Sequence, residues 1–132
     1  MKRPLLIAGW MSLVLSACHS ADGDLPREYR AIAVPTTLAS PEAAERGALL
    51  FQKYCTLCHG VRGDGYGLQR EGLQPPPRDF RDAGWHAAAT PRHVFFAIRE
   101  GRRGTAMPSW KSLSEQDAWD LTAYVLSLAG RK

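Results

Sequence analysis

Cysteine is scarce in this sequence, whose 132 residues hold three, beside four histidines and three methionines. Only Cys55 and Cys58 stand close together, and no second cysteine pair supplies the other ligands of a four-coordinate zinc site. A thioredoxin-like dithiol would need strands and a βαβ pattern around the pair, whereas its flanks have helical periodicity and a Gly-rich loop. These absences disfavour a disulfide framework, a zinc site and a redox dithiol.

Long apolar runs are also few, and the marked one extends only from Leu5 to Leu15. It is shorter than the roughly 17–25 residues that a membrane-spanning helix needs, and a short apolar run after a basic start is typical of an export signal. The run ends in Leu15-Ser16-Ala17-Cys18, which resembles the bacterial lipoprotein box. We therefore expect a signal peptide over residues 1–17 and lipidation of Cys18, with ordinary signal cleavage as the alternative.

The same motif predicts a location on the periplasmic side of a bacterial membrane, held by the lipid anchor. His19 follows the cysteine, where an aspartate tends to retain lipoproteins at the inner membrane, so the outer membrane is favoured. Loss of Lys2 and Arg3 with the signal peptide lowers the formal net charge from +4 to +2. With no Lys/Arg run and no interleaved aromatics, we expect no nucleic-acid partner.

The expected mature chain has two parts. Residues 18–40 comprise the lipidated cysteine and a segment with Gly23, Pro26 and Pro35 but no apolar period of 2 or 3.6. We expect this segment to be a flexible tether with an end-to-end distance of about 25 Å. Residues 41–132 then form the folded domain, which is small for a protein that must bury an adequate core unaided.

The five residues Cys55-Thr56-Leu57-Cys58-His59 have the order and spacing that covalent haem attachment requires. Two thiols in this arrangement reach the two vinyl groups of one porphyrin, and the adjacent imidazole binds the iron. At this chain's composition, about two accidental matches are expected in a thousand sequences. The motif predicts one haem c, with Cys55 and Cys58 as thioethers and His59 as an axial iron ligand.

Three main helices are predicted, and no segment has the period-2 pattern of a strand. Ser40 with Pro41 begins a helix that reaches Cys55, Thr90 with Pro91 begins one that stops at Gly101, and Ser114 begins one that ends before Gly130. The region from 60 to 89 should be loop with at most a short helical turn, because it holds several glycines and three tandem prolines. The fold class is therefore all-α.

Met107 is the best candidate for the second axial ligand, because the other methionines, Met1 and Met11, lie in the signal peptide. It stands in an irregular segment between two predicted helices, where a thioether can fold over the porphyrin. The alternative is that Met107 simply packs in the core. His86 and His93 are weaker candidates, since surface histidines are common.

The chain resembles the class I cytochrome c family, small bacterial single-haem type, on Cys55–Gly60, Gly63-Asp64-Gly65, Met107-Pro108 and the last helix. The resemblance covers residues 41–128. It implies a cytochrome c fold of three main helices and loops around one covalent haem, with a close crossing of the first and last helices. It also implies that a backbone carbonyl among Pro75–Pro77 accepts a hydrogen bond from His59.

We expect an electron carrier rather than an enzyme, with no catalytic residue and with transient redox partners. A fixed electron-transfer subunit of a larger dehydrogenase or oxidase complex is an alternative. A haem enzyme or gas-binding protein with an open iron site is another, which requires that Met107 does not bind. The sequence leaves the oligomeric state open.

Overall fold

The structure is a computed structural model that describes residues 21–129. Within this range the chain forms six α-helices and no strand, which confirms the all-α prediction. In chain order they are α1 (Arg27–Ala31), α2 (Pro41–Tyr54), α3 (Thr56–His59), α4 (Ala83–Ala88), α5 (Pro91–Glu100) and α6 (Glu115–Ser127). None of the helices in this part of the chain is long and apolar enough to cross a membrane.

The three main helices begin where their capping residues predict. The Ser40 hydroxyl accepts a hydrogen bond from the amide of Ala43, and Ser114 and Thr90 cap α6 and α5 in the same way. Such side-chain oxygens satisfy amides that have no partner inside the helix. Local sequence therefore fixes the starts of α2, α5 and α6.

The core lies where α5 and α6 pack together and α6 crosses α2. Its buried side chains are Phe51, Val94, Phe95, Ile98, Ala118, Trp119, Leu121 and Val125. At the crossing of α2 and α6, a Cβ on Gly47 would stand 1.9 Å from the carbonyl oxygen of Asp120. Only glycine lets the two backbones come this close. One turn further along α2, the ring of Phe51 packs on that of Tyr124 on α6. The close crossing is thus confirmed.

The expected tether differs from the structure. Residues 21–34, here called the N-terminal strap, lie along α5 through contacts that join parts of the chain about 70 positions apart. Asp22 accepts hydrogen bonds from Thr90 and Arg92, Asp24 pairs with His93, and Leu25 is buried. Tyr29, Ile32 and Val34 of the strap also pack against the core. The polar contacts join residues that lie far apart in the sequence, which is why the sequence pattern missed them.

Candidate functional site

The predicted attachment motif begins at the end of α2 and continues as a single helical turn, α3. The amides of Cys58 and His59 both bond to the carbonyl of Cys55, at 3.3 and 2.9 Å. Residues three and four apart in such a turn are neighbours on one face. The turn therefore brings two thiols and one imidazole to the same side of the chain.

A hydrogen bond to the backbone fixes the His59 imidazole. Nδ1 lies 3.3 Å from the carbonyl oxygen of Arg78, which can only accept, so Nδ1 carries the proton and Nε2 keeps a free lone pair. The expected acceptor among Pro75–Pro77 is wrong by one residue. The proline run sets the course of the loop, but the carbonyl aimed at the ring belongs to the residue after it.

Burial shifts the pKa values of the His59 imidazole and the Cys55 thiol. Desolvation lowers the pKa of His59, against the opposing effect of its bond to Arg78, and favours the neutral imidazole that can bind a metal. Burial, with a smaller effect from nearby Cys58, raises the pKa of the Cys55 thiol to about 12. Burial therefore favours the neutral forms of the His59 imidazole and the Cys55 thiol.

A Gly-rich loop wraps the attachment turn. Its amides bond back to it, Gly65 to the carbonyl of His59 at 2.8 Å and Gly67 to that of Cys58 at 3.1 Å. Gly65 has φ +77°, and a Cβ there would stand 2.5 Å from the carbonyl oxygen of Pro77. Asp64 is buried in this loop and pairs with Arg62. The loop thus packs the segment before Arg78 against the motif.

Met107 lies in the irregular segment between α5 and α6, as predicted, and is half-buried. Its amide donates to the Thr105 hydroxyl at 3.1 Å, and its carbonyl accepts from the amide of Arg102 at 3.3 Å. The segment folds back on the end of α5, where a Cβ on Gly101 would stand 2.7 Å from the same carbonyl oxygen. The backbone at Met107 is therefore well fixed.

The weaker candidates have other partners. His86 Nε2 lies 2.6 Å from the carbonyl oxygen of Phe80, and His93 contacts Thr90 and Asp24. His86 therefore joins α4 to the loop at Phe80, and His93 joins α5 to the strap. Cys18, the predicted lipidation site, lies outside the described residues.

Sequence reasoning missed two residues of this site. One is Arg78, whose backbone rather than its side chain takes part, so that residue type gives no signal. The other is Phe80, whose ring stacks on that of His59 with centroids 4.6 Å apart and planes 23° apart. Its position two residues after the acceptor carbonyl, in an otherwise polar stretch, is the available signal.

The all-helical fold and the attachment turn define a c-type cytochrome, and comparisons with known proteins agree. Residues 42–125 match the family described as cytochrome C oxidase, cbb3-type, subunit III. The chain belongs to this family. Over 91 residues it is 44% identical to cytochrome c55X of Stutzerimonas stutzeri, a match that covers 63% of this chain and 68% of the relative.

Solved structures are similar as well. A chain of the reducing HAO-like protein complex of Kuenenia stuttgartiensis matches with a TM-score of 0.64 and 30% identity, over 74% of this chain and 49% of that one. The c-type cytochrome KustC0563 matches with a TM-score of 0.52 and 27% identity, over 63% and 96%. Cytochrome CL of Methylophaga aminisulfidivorans shares the fold, with a TM-score of 0.55 and 22% identity, over 71% and 58%. This chain thus spans about half the length of the matched chain from the Kuenenia stuttgartiensis complex.

Membership of the family implies a haem c, and the residues present fit that group. Cys55 and Cys58 are free thiols on one helical turn, and His59 beside them has its Nδ1 committed to a carbonyl. That donor set, two soft sulfurs for the vinyl groups and one imidazole nitrogen for the iron, is the set that haem c uses. Electron transfer is the activity that the family supports.

Proposed function

We propose that this protein is a membrane-tethered periplasmic cytochrome that carries one covalent haem and passes single electrons between redox proteins. The observation that carries the proposal is the hydrogen bond from Nδ1 of His59 to Arg78, beside two thiols of the same turn. A ligand imidazole held in this way has a defined tautomer and a more basic Nε2.

Each named residue has one task. Cys55 and Cys58 would hold the porphyrin covalently, so that it is not lost on redox change, and His59 would bind the iron through Nε2. Met107 would supply the second protein ligand of the iron, and its sulfur would favour the ferrous state and raise the potential relative to a second imidazole. The bound haem supplies an iron that exchanges one electron without a change of ligands.

The lipoprotein-like motif before Cys18 supports the membrane tether and the periplasmic location, with the outer membrane favoured. Partners of a carrier must dissociate quickly, so we expect small, short-lived interfaces with redox proteins. Replacement of Cys18 by serine should abolish incorporation of a labelled fatty acid into the protein. Ser16→Ala, next to the cleavage site, is the matched control and should retain this incorporation.

A fixed subunit of a larger redox complex is the second candidate. It is favoured by the family's description as an oxidase subunit and by the solved relative that belongs to a protein complex. Gentle solubilisation of native membranes separates the two candidates. A carrier should elute alone at the size of one small domain in detergent, whereas a subunit should elute with its partners.

The test of the central proposal is the purified full chain, produced where cytochrome maturation operates. We expect a mass increased by one haem, no free thiol at Cys55 or Cys58, and a weak far-red absorption band of sulfur-bound ferric iron. His59→Ala should abolish the normal spectrum, whereas the matched variant His93→Ala, at the strap, should retain it. A colourless protein with both thiols free would refute the proposal.

A further inference from the structure

The His59 imidazole has a second neighbour besides the Arg78 carbonyl. The Phe80 ring lies nearly parallel to it, with centroids 4.6 Å apart and planes 23° apart. The Phe51 ring also lies near the imidazole, at 6.4 Å and 51°, but it does not stack. One face of the imidazole is therefore covered by a flat, parallel ring.

Phe80 is itself held on several sides. Its amide donates to the carbonyl of Gly63 at 2.7 Å, and its carbonyl lies 2.6 Å from Nε2 of His86. Its ring packs on that of Trp85 at 5.1 Å and meets that of Phe51 edge-on at 6.2 Å. Bonded along its backbone and packed by two aromatic rings, Phe80 has little freedom to follow a moving imidazole.

The carbonyl and the ring restrict different motions of the imidazole. The hydrogen bond to Arg78 fixes the direction of Nδ1 but still permits the ring plane to tilt and twist about the N–H···O line. A stacked aromatic ring opposes tilting and twisting, because either motion brings the imidazole edge into contact with it. Arg78 and Phe80 come from one three-residue stretch, so the two restraints move together.

The geometry points to Phe80 as a positioning residue that, with the Arg78 carbonyl, sets the plane of the His59 imidazole at the haem iron. This inference rests on the proposed function, since it requires that His59 binds iron. The plane of an axial imidazole determines how unpaired spin is distributed among the haem methyl groups of the ferric protein. A well-aligned hydrogen bond also makes the imidazole a stronger donor, which favours ferric iron and lowers the potential.

The test compares haem-loaded full-length variants. Phe80→Leu removes the flat ring and keeps apolar bulk, Phe80→Tyr keeps the ring, and Phe95→Leu is the matched control. Phe95 is a more deeply buried phenylalanine that stacks on Trp119 rather than on His59. For Phe80→Leu we expect a changed order or spread of the paramagnetically shifted haem methyl signals and a raised potential. Phe80→Tyr and Phe95→Leu should keep the parent pattern.

Other results would overturn the inference. They include a parent-like methyl pattern and potential in Phe80→Leu, or equal changes in Phe95→Leu. If Phe80→Leu does not mature, Phe80→Met serves in its place. Failure of both while Phe95→Leu matures would make Phe80 a folding residue only. The parent's own mass and spectrum test the proposed function separately, because they do not depend on Phe80.

Discussion

Arg46 on α2 donates two hydrogen bonds to the carboxylate of Asp120 on α6, from Nε at 2.7 Å and from Nη2 at 2.9 Å. The Asp120 side chain is only 3% exposed, whereas half of the Arg46 side chain faces solvent. Gln116 gives the carboxylate one more hydrogen bond, at 2.9 Å. This pair joins the two helices beside the crossing at Gly47.

Arg46→Ala should lower the melting temperature of the holoprotein, because it leaves a buried carboxylate with Gln116 as its remaining side-chain donor. Glu45→Ala, an exposed change on the same helix, is the control and should have little effect. Thermal unfolding followed by circular dichroism measures both. Equal melting temperatures for the two variants would mean that the ion pair does not stabilise the crossing.

Gly47→Ala should be more damaging, since its Cβ would stand 1.9 Å from the carbonyl oxygen of Asp120. Forcing an extra methyl into a packed contact costs about 1–3 kcal/mol, and we expect the upper end or beyond because the obstacle is backbone. Gly84→Ala, on the exposed face of α4, is the matched control with an expected change within about 0.5 kcal/mol. Denaturant unfolding gives both free energies, and a parent-like stability of Gly47→Ala would contradict the crossing geometry.

The contacts of Asp22 that hold the N-terminal strap on α5 should weaken at low pH. The hydrogen bond from Thr90, and to a smaller extent the contacts of Arg92, lower the pKa of Asp22 from 3.8 in spite of some desolvation. A carboxyl with a lowered folded pKa contributes stability above its unfolded pKa, and this is lost as pH falls through the folded value. The Leu25 methyl signals should therefore be constant above pH ~4 and shift below it.

Asp22→Asn removes the titrating group, so its Leu25 signals should not follow that transition. The variant should also be cleaved faster by trypsin after Arg27 and Arg30 at neutral pH, because the strap is held less firmly. Glu45→Gln, which removes an exposed charge on α2 rather than on the strap, should behave as the parent does. A parent-like acid transition in Asp22→Asn would assign the change to another group.

Met107→Ala should leave the haem covalently attached and open the iron to small ligands. We expect loss of the far-red band, immediate uptake of carbon monoxide by the ferrous form, and a potential lower by about 0.1–0.3 V within the ~0.8 V range that axial ligation spans. Ala106→Ser, an exposed change in the same segment, should behave as the parent does. Immediate carbon monoxide binding by the parent would instead favour the open-site alternative.

Protein produced without haem should be largely unfolded. The domain is small, and a covalent apolar macrocycle adds the surface on which its short helices bury their faces. Far-ultraviolet circular dichroism of the haem-free chain should show a large loss of helical signal relative to the holoprotein. Full native helicity without haem would show that the polypeptide core is sufficient on its own.

The parts of this fold that sequence could predict are local. The caps at Ser40, Thr90 and Ser114 act within three residues, and the attachment motif spans five, so pattern and chemistry coincide. The strap could not be predicted, because the pairing of Asp22 with Arg92 joins residues 70 positions apart and leaves no periodic signal.

The contacts of His59 could not be predicted in full either, because they depend on how a nearby loop packs. The resemblance placed a carbonyl near the tandem prolines, but the register within a loop depends on how the loop packs, which selected Arg78. The sequence marks Phe80 only as one aromatic residue in a polar stretch, because its significance lies in the orientation of its ring against His59.

Attachment of the strap to α5 changes how this cytochrome would meet its partners. Between Cys18 and Asp22, where the chain is first fastened to the domain, the backbone can span at most ~14 Å. A lipid on Cys18 would then be joined to the domain by a short connection, which would keep the α5 side of the domain near the bilayer. Electron donors and acceptors would have to come to the membrane surface, since the haem domain could not swing out to collect them.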